Sequence, residues 1–187
     1  MGKVYEEIDA SLRAFIDRQH VYFVGTAPTG PDGHLNLSPK GLDTFRVLGP
    51  KSVAYLDLTG SGIETVAHLR ENGRITIMFC AFEGRPLIVR LYGRGRVVEP
   101  GDREWDGLIA RFPEYPGARS VIVMEVGRIA DSCGYAVPLY EFKGERSQLV
   151  EWANRTGTEG IEDYRENKNR ASIDGLAGVR SAGGDKP

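Results

Sequence analysis

The apolar residues change their spacing at residue 20, and this change constrains the fold more than any other feature of the chain. Upstream, Val4, Ile8, Leu12, Phe15 and Ile16 recur at helical spacing with charged residues between them, which predicts an amphipathic helix over 4–16. From His20 onward short β-rich runs follow one another at 20–27, 33–40, 44–48, 52–59, 74–82, 86–98 and 119–130. Two helical patterns, near 62–72 and 103–112, interrupt them. That is too few for the strand–helix alternation of a doubly wound parallel sheet. PTGPDG at 28–33 is dense in turn formers and reads as a loop joining antiparallel neighbours. The expectation is a mainly β chain with flanking helices, arranged as a closed or partly closed antiparallel barrel.

After Pro138 the pattern turns polar and helical, with Leu149, Val150, Trp152 and Ala153 at helical spacing before a Gly-rich end. The 187 residues thus divide into a barrel domain at 1–137 and a helical appendage at 138–187 whose tail is expected to be disordered. With 41% apolar and 27% charged residues there is enough to bury a core, and a net charge of −2 argues against nucleic acid as a partner. No run reaches the roughly 18–20 apolar residues of a membrane span, and MGKVYEEIDASLRAF lacks a signal peptide's apolar stretch, so a cytoplasmic protein with no membrane partner is expected. Cys80 and Cys133 form no CxxC pair, and His20, His34 and His68 show no ligand spacing, so no metal site is expected.

Candidate chemistry concentrates on a few strands. In 33–40, Leu35, Leu37 and Pro39 alternate with His34, Asn36, Ser38 and Lys40, so one face carries four hydrogen-bonding groups. Simple solvation of that face is one reading, and a ligand cleft is the other. The run 52–59 repeats the arrangement, with Ala54, Leu56 and Leu58 set against Val53, Tyr55, Asp57 and Thr59. It leads into Thr59-Gly60-Ser61-Gly62 and a helical pattern closed by Asn72-Gly73. A glycine-rich turn opening a helix exposes N–H groups suited to a phosphate, while Ser61-x-x-Glu64 equally reads as a capping box that satisfies the same donors. The third glycine of a dinucleotide fingerprint is missing.

Along 86–98, Arg90, Tyr92, Arg94 and Arg96 share a face suited to a small anion or to salt bridges across a dimer. The run 119–130 is apolar on both faces, as in a core strand or subunit interface. Cys133-Gly134-Tyr135 offers a flat aromatic that would stack on a planar heterocycle or close the barrel.

HLNLSPKG, SVAYLDLTGSG, ETVAHLRENGRITIMF and RLYGRGRVV, behind an N-terminal helix, together resemble the pyridoxamine 5′-phosphate oxidase-like group of flavin-binding split barrels over about residues 5–135. The likeness is greatest to bacterial and fungal members with a CGYAVPLYEF segment. It implies a six-stranded antiparallel split β-barrel, a homodimer with flavin mononucleotide (FMN) at the subunit interface, and oxidoreductase activity on a small-molecule substrate. Carried onto this sequence, it implies that Asn36, Ser38 and Lys40 contact flavin and phosphate, with Tyr55, Asp57 and Thr59 beside the ring. Ser61, Gly62 and Thr65 fall on the phosphate turn, and Arg94, Gly134 and Tyr135 become ring or substrate contacts.

No catalytic residue is assigned. Where such proteins commonly carry Arg or Lys in the turn, this chain has Gly62, Ile63 and Glu64, which leaves Lys40 and backbone N–H groups for the phosphate. The true oxidase's C-terminal segment is replaced by PLYEFKGERSQLVEWANR, so vitamin B6 oxidation is not the expected reaction. A deazaflavin coenzyme, haem on His34 or His68, and a non-catalytic carrier role remain alternatives.

Overall fold

The computed structural model describes residues 2–181. In chain order its elements are β1 (Val4–Tyr5), α1 (Ala10–Ile16), β2 (Tyr22–Thr26), β3 (Asn36–Lys40), β4 (Phe45–Gly49), β5 (Ser52–Leu58) and α2 (Glu64–Asn72). They continue with β6 (Arg74–Cys80), β7 (Ile88–Val98), α3 (Trp105–Ile109), β8 (Ala118–Ser132) and α4 (Gln148–Lys168). Each of the seven β-rich runs becomes a strand. An eighth comes from Val4–Tyr5, which pairs with Ile129 and Ala130 of β8 instead of starting a helix. Among the described residues there are therefore eight strands where six are expected. The helix begins later because Asp9 caps it, its side chain accepting from Leu12 N at 2.8 Å.

The strands form one antiparallel sheet in the order β3-β2-β6-β7-β8-β5-β4, with β1 added to β8. β2 and β3 flank the PTGPDG loop in register from Tyr22↔Lys40 to Thr26↔Asn36. The sheet curls until β2 and β6 face β4 and β5 across the interior. There Tyr22 packs edge-on against Phe45 and Tyr55, with ring centroids 5.1 and 5.8 Å apart, and Phe45 meets Phe79 at 5.0 Å. The Tyr22 and Thr44 hydroxyls hydrogen-bond at 2.9 Å across the same space. β3 and β4 end the hydrogen-bonded order without pairing, so the barrel is split beside β3. β3 carries Pro39, which has no N–H to donate and is tolerated on such a terminal strand.

β8 is the spine, pairing with β5 on one side and β7 on the other. Its register with β7 slips between Tyr92 and Gly93, where a Cβ on Gly93 would come within 2.0 Å of the Glu125 carbonyl oxygen. The α2 helix stops at Gly73 in the left-handed conformation, as Asn72-Gly73 predicts. Its start differs from expectation. No side chain caps N-terminal residue Ile63, and Glu64 Oε2 accepts from the Ile63 N–H at 3.0 Å, so the Ser61–Glu64 box does not form.

The C-terminal helix α4 changes direction at Gly157 and runs to Lys168. Past it, residues 169–181 return to the barrel: Asn169 is fully buried and Val179 joins the main core. The remainder of the expected disordered tail, 182–187, lies outside the described residues. Among the described residues no helix is long and apolar enough to cross a membrane.

Candidate functional site

The split places β3 opposite β5 and the first turn of α2. Alternation along β3 puts Leu37 and Pro39 on one side and Asn36, Ser38 and Lys40 on the other. The polar side faces the protein, while Leu35 and Leu37 are 83% and 68% exposed. The hydrogen-bonding face is therefore not a solvated one. It lines a cavity of about 250 Å³ with Asp57, Leu58, Gly60, Gly62, Ile63, Glu64, Thr65 and Arg119.

The electrostatic centre of the cavity is Asp57, which is buried on β5. One of its oxygens lies 3.1 Å from Lys40 Nζ, and the other accepts from Arg119 Nε at 2.8 Å and Nη2 at 2.7 Å. Burial would raise the Asp57 carboxyl, but the charges of Arg119 and Lys40 and their hydrogen bonds hold it below its ordinary value. Lys40 and Asp57 thereby bridge the split. Removing one member of such a buried set leaves an uncompensated charge, so the set fixes the geometry of both walls.

A second chain of hydrogen bonds leads inward. Asn36 Nδ2 donates to Thr26 Oγ1 at 3.1 Å and to Thr65 Oγ1 at 2.9 Å, while Ser38 Oγ donates to Asn36 Oδ1 at 2.9 Å. Thr26 Oγ1 lies 2.9 Å from His68 Nδ1 on α2. With Asn36 donating to Thr26, the simplest assignment has the Thr26 hydroxyl donating to Nδ1 and the imidazole proton on Nε2. Burial lowers the His68 pKa and favours this neutral ring. His68 Nε2 and the Tyr55 hydroxyl, both buried, find no hydrogen-bond partner among the described residues. Thr65 accepts from Asn36 at the cavity wall.

The C-terminal segment completes the wall. Asn169 Oδ1 accepts from Arg119 Nη1 at 2.9 Å, and Asn169 Nδ2 donates to the Gly60 carbonyl at 2.9 Å. Arg165 donates to Thr59 Oγ1 at 2.9 Å and to the Ala118 carbonyl at 2.8 Å. Beside the cavity, a larger cleft of about 680 Å³ shares Pro39, Lys40, Leu58 and Gly60 with it and is bounded by Leu42, Leu56 and Leu149.

Of the residues singled out in the sequence, Asn36, Ser38, Lys40, Asp57, Gly62 and Thr65 line the cavity. Tyr55 lies behind it in the core, Thr59 is buried against the Gly117 carbonyl, and Ser61 is exposed on the turn. The remaining three lie elsewhere. Arg94 donates to the Asn72 carbonyl at the end of α2, Gly134 packs on Leu87 and Ile88, and Tyr135 is 82% exposed. Arg119, Arg165 and Asn169 were not singled out. Arg119 opens a strand read as apolar on both faces, and the other two sit in a stretch whose composition resembles a solvated tail.

The structure is an antiparallel split barrel with a polar, ion-paired cavity at its opening. Within it, residues 8–133 match the family model described as pyridoxamine 5′-phosphate oxidase. The chain is 40% identical to the pyridoxamine 5′-phosphate oxidase family protein ustO of Aspergillus flavus, over 97% of this chain and 80% of the relative. It belongs to the pyridoxamine 5′-phosphate oxidase family. Solved structures share the fold. HupZ of Group A Streptococcus is 23% identical with a TM-score of 0.51, over 65% of this chain and 91% of that one. A Lactobacillus delbrueckii protein bearing the pyridoxamine 5′-phosphate oxidase name is 20% identical with a TM-score of 0.52, over 68% and 98%.

Proposed function

We propose that the chain is a cytoplasmic, dimeric flavoprotein oxidoreductase that binds FMN at the split and acts on a small-molecule substrate. The observation that carries this reading is the inward polar face of β3, whose Asn36, Ser38 and Lys40 meet Asp57 and Thr65 across the cavity in a chain of this family. The donor set suits the hydroxylated and phosphorylated side chain of a flavin. Lys40 retains ammonium protons beyond the one directed at Asp57, and Ser38 presents an acceptor. The adjoining cleft, with Leu42, Leu56 and Leu58, supplies apolar walls for a planar ring.

A bound flavin supplies hydride transfer, and the protein's part is binding, orientation and exclusion of water. Asp57 holds Lys40 in place, and Arg119 with Asn169 fixes the turn at Gly60. The haem alternative is not favoured at His68, whose ring is enclosed behind Thr26.

The exposed side of β3 supports the dimer. Leu37, Gly25, Thr76 and Tyr92 stand in one row across β3, β2, β6 and β7, and with Leu35 they form an apolar surface. The purified protein is expected to be yellow, to release FMN on denaturation and to elute as a dimer, with Lys40→Ala weakening flavin retention. Colourless protein that takes up no added FMN overturns the reading.

A further inference from the structure

The cavity's ionic groups cancel: Lys40 and Arg119 stand against Asp57 and Glu64. Neither cation is free to meet a dianion unopposed. Arg119 directs its guanidinium at Asp57, Asn169 Oδ1 and the Gly60 carbonyl, which uses all three nitrogens. Lys40 is held by Asp57. Of the two carboxylates, Asp57 is buried between its partners, whereas Glu64 is only half-buried. Glu64 folds back over the turn, its Oε2 taking the Ile63 N–H at 3.0 Å and its Oε1 accepting from the Ile173 N–H at 3.4 Å. Gly62 leaves room for this, since a Cβ there would stand 2.9 Å from Glu64 Oε2. The carboxylate thus occupies the donor facing the cavity and adds a like charge beside any phosphate.

We propose that Glu64 is the specificity determinant of the cavity: it makes the site accept an uncharged, hydroxylated ligand tail about as well as a phosphomonoester. The identity of the ligand rests on the flavin reading above, in which riboflavin and FMN share the ring and differ by the phosphate. Replacing Glu64 by Gln removes the charge and keeps one oxygen to accept from Ile63, giving up the longer contact from Ile173, so the thermal-unfolding check separates the electrostatic effect from that lost hydrogen bond.

The experiment titrates riboflavin and FMN into wild type, Glu64→Gln and Glu64→Ser by fluorescence quenching, with thermal unfolding as a check on folding. The wild type is expected to bind both flavins within about threefold of each other. Both variants gain about tenfold for FMN, the size of one carboxylate charge removed beside a dianion in a partly solvated site, with riboflavin unchanged. A wild type that prefers FMN by about a hundredfold, or a preference that does not move in the variants, overturns the proposal.

If neither flavin binds any of the proteins, the flavin reading falls and inorganic phosphate decides the present one. Stabilisation by phosphate over chloride at equal ionic strength in Glu64→Gln but not in wild type supports the role of Glu64, and equal responses overturn it.

Discussion

Two ionic clusters fasten the C-terminal segment to the barrel, and they differ mainly in how far their arginines reach water. In the inner one, Asp57 and Arg119 have side chains 2% and 4% exposed, and Asn169 joins them from beyond α4. In the outer one, Glu99 receives Arg70 and Arg180, and Asp102 pairs with Arg180 at 2.6 Å. The Arg180 side chain is 43% exposed there. In the outer cluster the arginine–carboxylate pairs themselves join the loop after β7 to the returning chain, whereas in the inner one the Arg119–Asp57 pair joins two strands and the Asn169 amide docks on it. Only the inner one shapes the cavity; Glu99 is buried as well, at 7% exposed, but its partner Arg180 reaches water, so solvent can take over part of that contact. The same chemistry therefore sets site geometry in one place and guides docking in the other.

The largest effect should come from Arg119→Met. It strands Asp57 in the interior with Lys40 as its remaining cation and should cost about 3–5 kcal/mol in urea unfolding at neutral pH. The pH dependence sharpens this. The folded Asp57 carboxyl lies below its unfolded value, so its contribution is present above the ordinary carboxylate range and is lost as pH falls through that range toward the folded value. Wild type should weaken over that window, and the gap to Arg119→Met should narrow. A gap that is constant down to acid pH would mean that the Asp57 charge is not what Arg119 compensates.

Next comes Asn169→Ala, which removes the acceptor for Arg119 and the donor to Gly60 and should cost about 1–3 kcal/mol. Its flavin affinity should fall with it. Full affinity with lowered stability would assign Asn169 to the docking of the C-terminal segment alone. The smallest effect is expected for Arg180→Ala, about 1 kcal/mol, because Arg70 stays paired with the buried Glu99, and it should shrink further in 1 M salt as the exposed Arg180 charge is screened. An Arg180 effect equal to that of Arg119 would erase the distinction between the clusters.

The strand pattern was legible because alternation reports directly which residues share a face, so the grouping of Asn36, Ser38 and Lys40 needed no structure. Its direction did need one. Leu35 and Leu37 look like the core side of β3, yet face outward because the polar side spans the split to Asp57 and Thr65. The start of α1 departs from the expected helix because Val4–Tyr5 fits a helical stripe as well as it fits the edge of β8. For Arg94, alternation placed the residue on a polar face but could not indicate that its partner is the Asn72 carbonyl. Arg119 and Asn169 are separated by 50 positions, and only the return of the C-terminal segment brings them together. A single sequence carries no local signal for that contact.

Pro39 bears on how copies of this molecule can meet. A terminal strand with a full row of amide donors invites a neighbour to extend the sheet side by side. Here the ring of Pro39 interrupts that row next to the apolar flank formed by Leu35 and Leu37. Edge-to-edge growth into open-ended ribbons is thereby discouraged at this strand.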